Sequence, residues 1–209
     1  QKLMLERGIV AVADMGTSIE DWQTYRRAGD LGTLSLRIMA YAAGTEAMAL
    51  IGGPGPTPWL YDDRLRLNGV HLVVDGPLET GAAALKAAYA DALPKRPQPQ
   101  PRLGEIQLKN TISRAAIDRF QVAVEAHGDK AAAAALTAIE EVALTYKGER
   151  RWRIEGAEVT DPADFARFGK SGLAVSMQPL AMAGSFKLAE VRLGPARLAG
   201  AFAWKSLSA

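Results

Sequence analysis

Six times along this chain, apolar positions cluster over strand lengths and then thin into helical spacing, and the strand-like runs end in glycine or polar residues. Residues 8–18 (GIVAVADMGTS) predict a buried strand ending in a polar turn, where Asp14 and Thr17 sit, and residues 19–28 predict a helix capped by Ser18 with Asp21 in its first turn. Residues 34–43 predict a second strand. A short helical piece follows, then GGPGPTP at 52–58, whose glycines and prolines forbid regular structure. Residues 69–76 (GVHLVVDG) predict a third strand with His71, Val73 and Asp75 on one face and Val70, Leu72 and Val74 on the other.

Residues 81–92 are alanine-rich and predict a helix, and PKRPQPQP at 94–101 predicts a polyproline-like surface loop. A helix over 103–120 leads into a strand over 121–125, and 129–145 predicts an alanine-rich helix with Glu140 and Glu141 on its wet face. A strand over 152–157, a short helix over 162–169 opened by Asp161, a strand over 173–178 stopped by Pro179 and a closing helix over 192–207 complete the pattern. Strands alternating with helices at this spacing predict an α/β fold built on a parallel sheet or barrel, in a single domain over residues 1–209. In such folds the chemistry collects at the carboxyl ends of the strands, which gives weight to QVAVEAHGD at 121–129 and RWRIEGAE at 151–158.

Composition narrows the classes. The chain has 48% hydrophobic and 23% charged residues and no apolar run near the roughly 20 residues of a bilayer span, so no membrane association is expected. The formal charge of +2 comes from scattered Lys and Arg without a dense basic stretch or an aromatic ladder, which speaks against nucleic acid as a partner. Without cysteine there is no disulfide, thiolate metal site or thiol nucleophile, and either redox compartment fits; the default expectation is a soluble cytoplasmic protein, with the periplasm left open. Two histidines with no GxSxG elbow leave no serine triad to assemble, and GGPGP lacks the lysine and spacing of a phosphate loop.

Six segments together carry a resemblance: VADMGTS, the GVxLxxDG pattern at 69–76, QVAVxAxGDKA, RWRIExA, SMQP and RLAGAFAWKSL. Their joint order resembles the family-3 branch of the amidohydrolase superfamily. The resemblance implies a (β/α)-barrel hydrolase that acts on non-peptide carbon–nitrogen bonds through one or two divalent metals, usually zinc, as in N-substituted formamide deformylases. It implies six of the eight β/α units in this chain, incomplete at both ends relative to the family. The family's HxH pair on its first barrel strand and its Asp on the last fall outside these residues. The inner ligand positions also depart from the pattern: His71 stands where the family has a bridging Lys, Glu125 and Gly156 stand where it has His, and His127 lies two residues beyond Glu125.

Two readings of these residues stay open. In one, His71, Glu125 and His127 form a relocated mononuclear metal site, with zinc or another divalent cation activating water and Asp75 or Asp129 handling the proton. In the other, there is no metal: His71 is a hydrogen-bonded interior histidine, Glu125 pairs with Arg153 or Lys130, and the barrel is catalytically silent, binding a small molecule or acting as a scaffold. Asp75 with Gly76 is equally a turn signal. Gly156, Gln178 and Trp59 are the expected pocket lining, and Glu155 is expected to pair with Arg151 or Arg153. The partners expected are a small-molecule substrate or ligand and either a second copy of the chain or a partner completing the barrel, since two apolar edge strands would otherwise stand open.

Overall fold

A computed structural model of the protein describes residues 1–92, 97–148 and 150–208. Helix α1 (Lys2–Glu6) precedes strand β1 (Ala11–Thr17), followed by α2 (Ile19–Asp30), β2 (Arg37–Ala43), α3 (Gly44–Gly52) and β3 (Leu65–Val73). The chain continues through α4 (Glu105–Ile117), β4 (Gln121–Ala126), α5 (Asp129–Thr145), β5 (Arg153–Gly156), α6 (Phe165–Lys170), β6 (Ala174–Ser176), α7 (Pro179–Leu193) and α8 (Trp204–Leu207). The six strands form one parallel sheet in chain order. Two compact units can be distinguished: Gln1–Leu72 with Ser113–Ala123, and Val73–Ile112 with Val124–Ala209.

In the first unit, local chemistry sets the start of α2. Ser18 and Asp21 form a reciprocal capping box: the Ser18 hydroxyl accepts from the Asp21 N–H at 3.0 Å, and the Asp21 carboxylate accepts from the Ser18 N–H at 3.1 Å. Trp22 is the buried residue of this helix. In the middle of β1, Asp14 Oδ2 accepts from the hydroxyls of Thr17 (2.6 Å) and Tyr25 (3.0 Å). Burial first, and then the Asp14 charge, push the Tyr25 phenol up to about 12. Inside the unit, Gln121 Oε1 accepts from Tyr41 Oη at 2.7 Å and from Asn68 Nδ2 at 2.6 Å, so β2, β3 and β4 are tied by polar groups that could not be buried unpaired.

The second unit departs from propensity. Residues 81–92 form no helix but a chain of turns and irregular backbone. Several of their amides and carbonyls are taken by side chains, most of these from outside the segment. Asp75 Oδ2 accepts from the Ala84 N–H, Asp129 Oδ1 accepts from the Lys86 N–H, and the Tyr89 hydroxyl donates to the Ala83 carbonyl. Gln98 and Arg197 donate to the carbonyls of residues 85, 87 and 88. Buried Leu78, Ala83, Leu85 and Tyr89 pack with Val159, Ala189, Leu193 and Phe202, so the segment serves as core without being helical. Intrinsic helix preference of a few tenths of a kcal/mol per residue is outweighed by this long-range satisfaction.

Other boundaries shift. The third strand starts at Leu65 and ends at Val73, which leaves Asp75 beyond it. The expected closing helix over 192–207 is instead α7, which starts at Pro179, then a 3-10 turn over Pro195–Gly200, then α8. Proline suits the first helical position because its missing N–H has no intrahelical partner there, so Pro179 begins a helix as well as ending a strand. Asp161 caps the Pro162–Asp164 turn by accepting from the Ala163 N–H, as its sequence position predicts. Of the proline-rich loop, residues 94–96 lie outside the described residues, and 97–101 have no regular structure. Among the described residues no helix is long and apolar enough to cross a membrane.

Candidate functional site

The carboxyl ends of β4 and β5 and the loop after β3 bring four ionisable side chains together in the second unit. His127, one residue past β4, is the centre. Its Nε2 lies 3.1 Å from Glu125 Oε1 and its Nδ1 lies 3.3 Å from Glu158 Oε1. Burial works against the charged imidazole, but the contacts with Glu125 and then Glu158 outweigh it and raise the pKa from 6.5 to about 9. At neutral pH the ring is therefore an imidazolium held between two carboxylates.

Glu158 has a second attachment, since its Oε2 accepts from the Leu78 N–H at 2.7 Å and so ties the loop after β3 to the imidazolium. It is buried, at 8% exposure. Sequence reasoning missed it. The available signal was a carboxylate inside an apolar exit run (GAEV), a place where an unpaired charge would be costly.

Asp75 is almost fully buried, and both its oxygens are occupied: Oδ1 accepts from the His127 N–H at 2.7 Å, and Oδ2 from the N–H groups of Ala84 (2.8 Å) and Gly128 (2.9 Å). Burial raises its pKa, against the opposing effect of these three N–H donors. The carboxylate thus fixes the backbone leading from β4 into α5. Asp129, the first residue of α5, is buried with Oδ1 accepting from the Lys86 N–H at 2.8 Å. Gly128 permits this close approach, because a Cβ there would lie 2.2 Å from the Ala84 carbonyl oxygen.

The remaining predicted residues are placed as follows. His71 lies in β3, buried in the first unit, with its Nδ1 3.5 Å from where a Cβ on Gly16 would stand. Gly156 ends β5 with φ +92° directly against the His127 ring. Gln178 is exposed at the start of α7, and Trp59 stacks under Arg37, 5.8 Å from the ring centre, beside the amino end of β2. Glu155 pairs with Arg153 as expected, and Lys130 donates to Gln100.

The donor chemistry can be tested against a metal. A metal site needs several donors converging on one point, whereas His127 turns Nε2 to Glu125 at 3.1 Å and its buried Nδ1 away to the other side, 3.3 Å from Glu158 Oε1 without a well-aligned hydrogen bond. Among the described residues no group of three or more His, Asp or Glu side chains is arranged to hold a metal ion. The arrangement as it stands does not fit one.

Comparison with known proteins follows the same fold. The amidohydrolase family model matches residues 1–209. Protein LONG AFTER FAR-RED 3 of Arabidopsis thaliana is 30% identical over 194 residues, covering 85% of this chain and 32% of its own length. "Putative amidohydrolase YtcJ" of Bacillus subtilis is 33% identical over 149 residues, covering 68% of this chain and 26% of its own. An uncharacterized metal-dependent hydrolase from Pyrococcus horikoshii superposes over 100% of this chain with a TM-score of 0.87 at 25% identity, and one from Pyrococcus furiosus does so with 0.87 at 28%. The chain spans 32% and 26% of the two curated relatives and 41% and 42% of the two solved chains. A sheet of six parallel strands alternating with helices fits part of a (β/α) barrel of this type.

Proposed function

The chain belongs to the amidohydrolase family, and on that premise we propose that it forms part of a hydrolase acting on a non-peptide carbon–nitrogen bond of a small molecule. The observation that carries the reading is the Glu125–His127–Glu158 cluster, set at the carboxyl ends of β4 and β5 where a (β/α) barrel keeps its chemistry. An imidazolium with a pKa near 9 holds its proton at neutral pH and is suited to give it to a departing amine nitrogen, while Glu125 and Glu158 keep the ring oriented. Asp75 and Asp129 act on the backbone around it. The resembled pattern has histidine at positions 125 and 156. In this chain Glu125 and Gly156 stand there, and the His127 ring fills the space next to Gly156.

A second reading has its own support. Each imidazole nitrogen faces a carboxylate, at 3.1 and 3.3 Å, which is the arrangement of a charge-paired scaffold, and a catalytically silent barrel that binds a small molecule would keep it. Purified protein should be incubated with a panel of N-substituted formamides and other amides, with and without added zinc, and amine release followed. Turnover that disappears in His127→Ala supports the hydrolase. Absence of turnover in every condition, with saturable binding of the same compounds by NMR, supports the silent barrel.

A further inference from the structure

One carboxylate of the cluster reaches its place through an irregular stretch of backbone. Just past the ends of β4 and β5, the Ala157 N–H donates to the Ala126 carbonyl at 3.0 Å and the Val159 N–H donates to the His127 carbonyl at 2.8 Å. Regular parallel pairing carries donors two residues apart to carbonyls two residues apart. Here the carbonyls are adjacent, so the exit of β5 holds one residue more than the exit of β4, which is a β-bulge. The backbone angles mark the same place, with φ +92° at Gly156 and φ +43° at Ala157. Glycine takes such an angle freely, whereas alanine, with its Cβ, holds it only under strain. Ala157 is fully buried, so its surroundings keep it there.

The residue that the bulge re-aims is Glu158. Its carbonyl accepts from the Phe202 N–H at 2.7 Å, Phe202 being itself left-handed at φ +48°, and its Oε2 accepts from the Leu78 N–H at 2.7 Å. The other oxygen, Oε1, stands 3.3 Å from His127 Nδ1. The two edges of the ring are unlike. Nδ1 is closed off from solvent beside Glu158, whose side chain is 11% exposed, whereas Nε2 faces Glu125, whose side chain is 29% exposed. A small molecule arriving at the cluster meets the Nε2 edge.

We propose that Glu158 is the positioning residue of this site, set in place by the bulge at Gly156 and Ala157: its charge holds the Nδ1 edge of the ring, so that the proton given to a departing nitrogen leaves from Nε2, on the Glu125 side. Until a substrate nitrogen arrives, Glu125 is the acceptor on that side. In the step itself, the carbon–nitrogen bond of the water adduct of an amide breaks, its electron pair goes to nitrogen, and the Nε2 proton passes to the same nitrogen. The neutral imidazole left behind keeps its remaining proton on Nδ1, the tautomer that a neighbouring carboxylate favours. The bulge and the Glu158 contacts stand without the hydrolase reading, and the direction of proton delivery rests on it.

Nitrogen NMR of the His127 ring, read together with the Leu78 amide, tests the assignment. Glu158→Gln retains an acceptor oxygen for Leu78 and sets an NH₂ against Nδ1, so the ring should give up its Nδ1 proton while the Leu78 amide shifts little. If N-substituted amides are turned over, the same variant should lower kcat by roughly tenfold or more with KM little changed. Ala157→Gly tolerates the left-handed backbone and should leave both signals in place, whereas deletion of Ala157 should move both. Ring signals in Glu158→Gln identical to those of the unaltered chain overturn the proposal, whether or not the deletion variant folds. A folded deletion variant with both signals unmoved overturns it as well. Loss of the Nδ1 proton in Glu158→Gln without turnover by the unaltered chain supports the positioning role and counts against the hydrolase reading alone.

Discussion

Gly156 is shaped to His127: a Cβ on Gly156 would lie 2.8 Å from His127 Nδ1 and 2.9 Å from its Cε1, and Gly156 holds φ +92°, where side chains are strained. Gly156→Ala should therefore destabilise the fold by about 2–3 kcal/mol, from backbone strain and displacement of the imidazole together. Urea unfolding of the single variant and of Gly156→Ala with His127→Ala measures the coupling. Recovery of part of the loss in the double variant is expected; strict additivity would mean that the two residues do not share this space.

The His127 ion pairs make stability depend on pH in a fixed direction. Because the folded-state pKa is raised from 6.5 to about 9, this contribution is fully present below pH 6.5 and is lost as the pH rises through about 9. Burial of Asp75 acts with the same sign in a window that opens at its ordinary value of 3.8, since a carboxyl whose pKa is raised on folding favours the folded state less once it ionises. Denaturation midpoints measured across this window should fall with rising pH, and His127→Gln should flatten the slope between pH 6.5 and 9. An unchanged slope would remove His127 as its source.

Asp75 accepts three backbone N–H groups with two oxygens, and an amide in its place has a single acceptor oxygen. Asp75→Asn sets an NH₂ against at least one buried N–H, with an expected loss of about 2–3 kcal/mol. Hydrogen exchange provides the local readout: the amides of Ala84, His127 and Gly128 should lose protection together. Were only one to change, the carboxylate would not be the common anchor.

At the start of α2, the capping box is exposed and independent of the cluster. Ser18→Ala should cost about 1 kcal/mol, and Ser18→Asp should restore most of it, as read from thermal unfolding. A loss in Ser18→Ala with no restoration by Asp would point to the hydroxyl's packing instead.

Where structure depends on neighbours in the chain, the sequence was a sufficient guide. The period-two runs that became β1, β2, β4 and β5, the box at Ser18 and Asp21, and the cap at Asp161 all rest on interactions reaching a few residues at most. The alanine-rich run at 81–92 shows the limit. Local preference favours a helix, yet side chains such as Asp75, Gln98, Asp129 and Arg197 claim its backbone groups, and no local pattern encodes such distant partners.

The site divides in the same way. The sequence by itself determined that His127 and Glu125 would lie close together, because residues two apart at a strand end share a face, and it determined the family through the order of its motifs. Only the tertiary structure decided that Glu158 would complete the cluster, that Asp75 would hold backbone amides, and that Gly156 would make room for the imidazole. These outcomes hang on contacts between segments tens of residues apart, where a carboxylate's role is set by which donors the fold delivers to it.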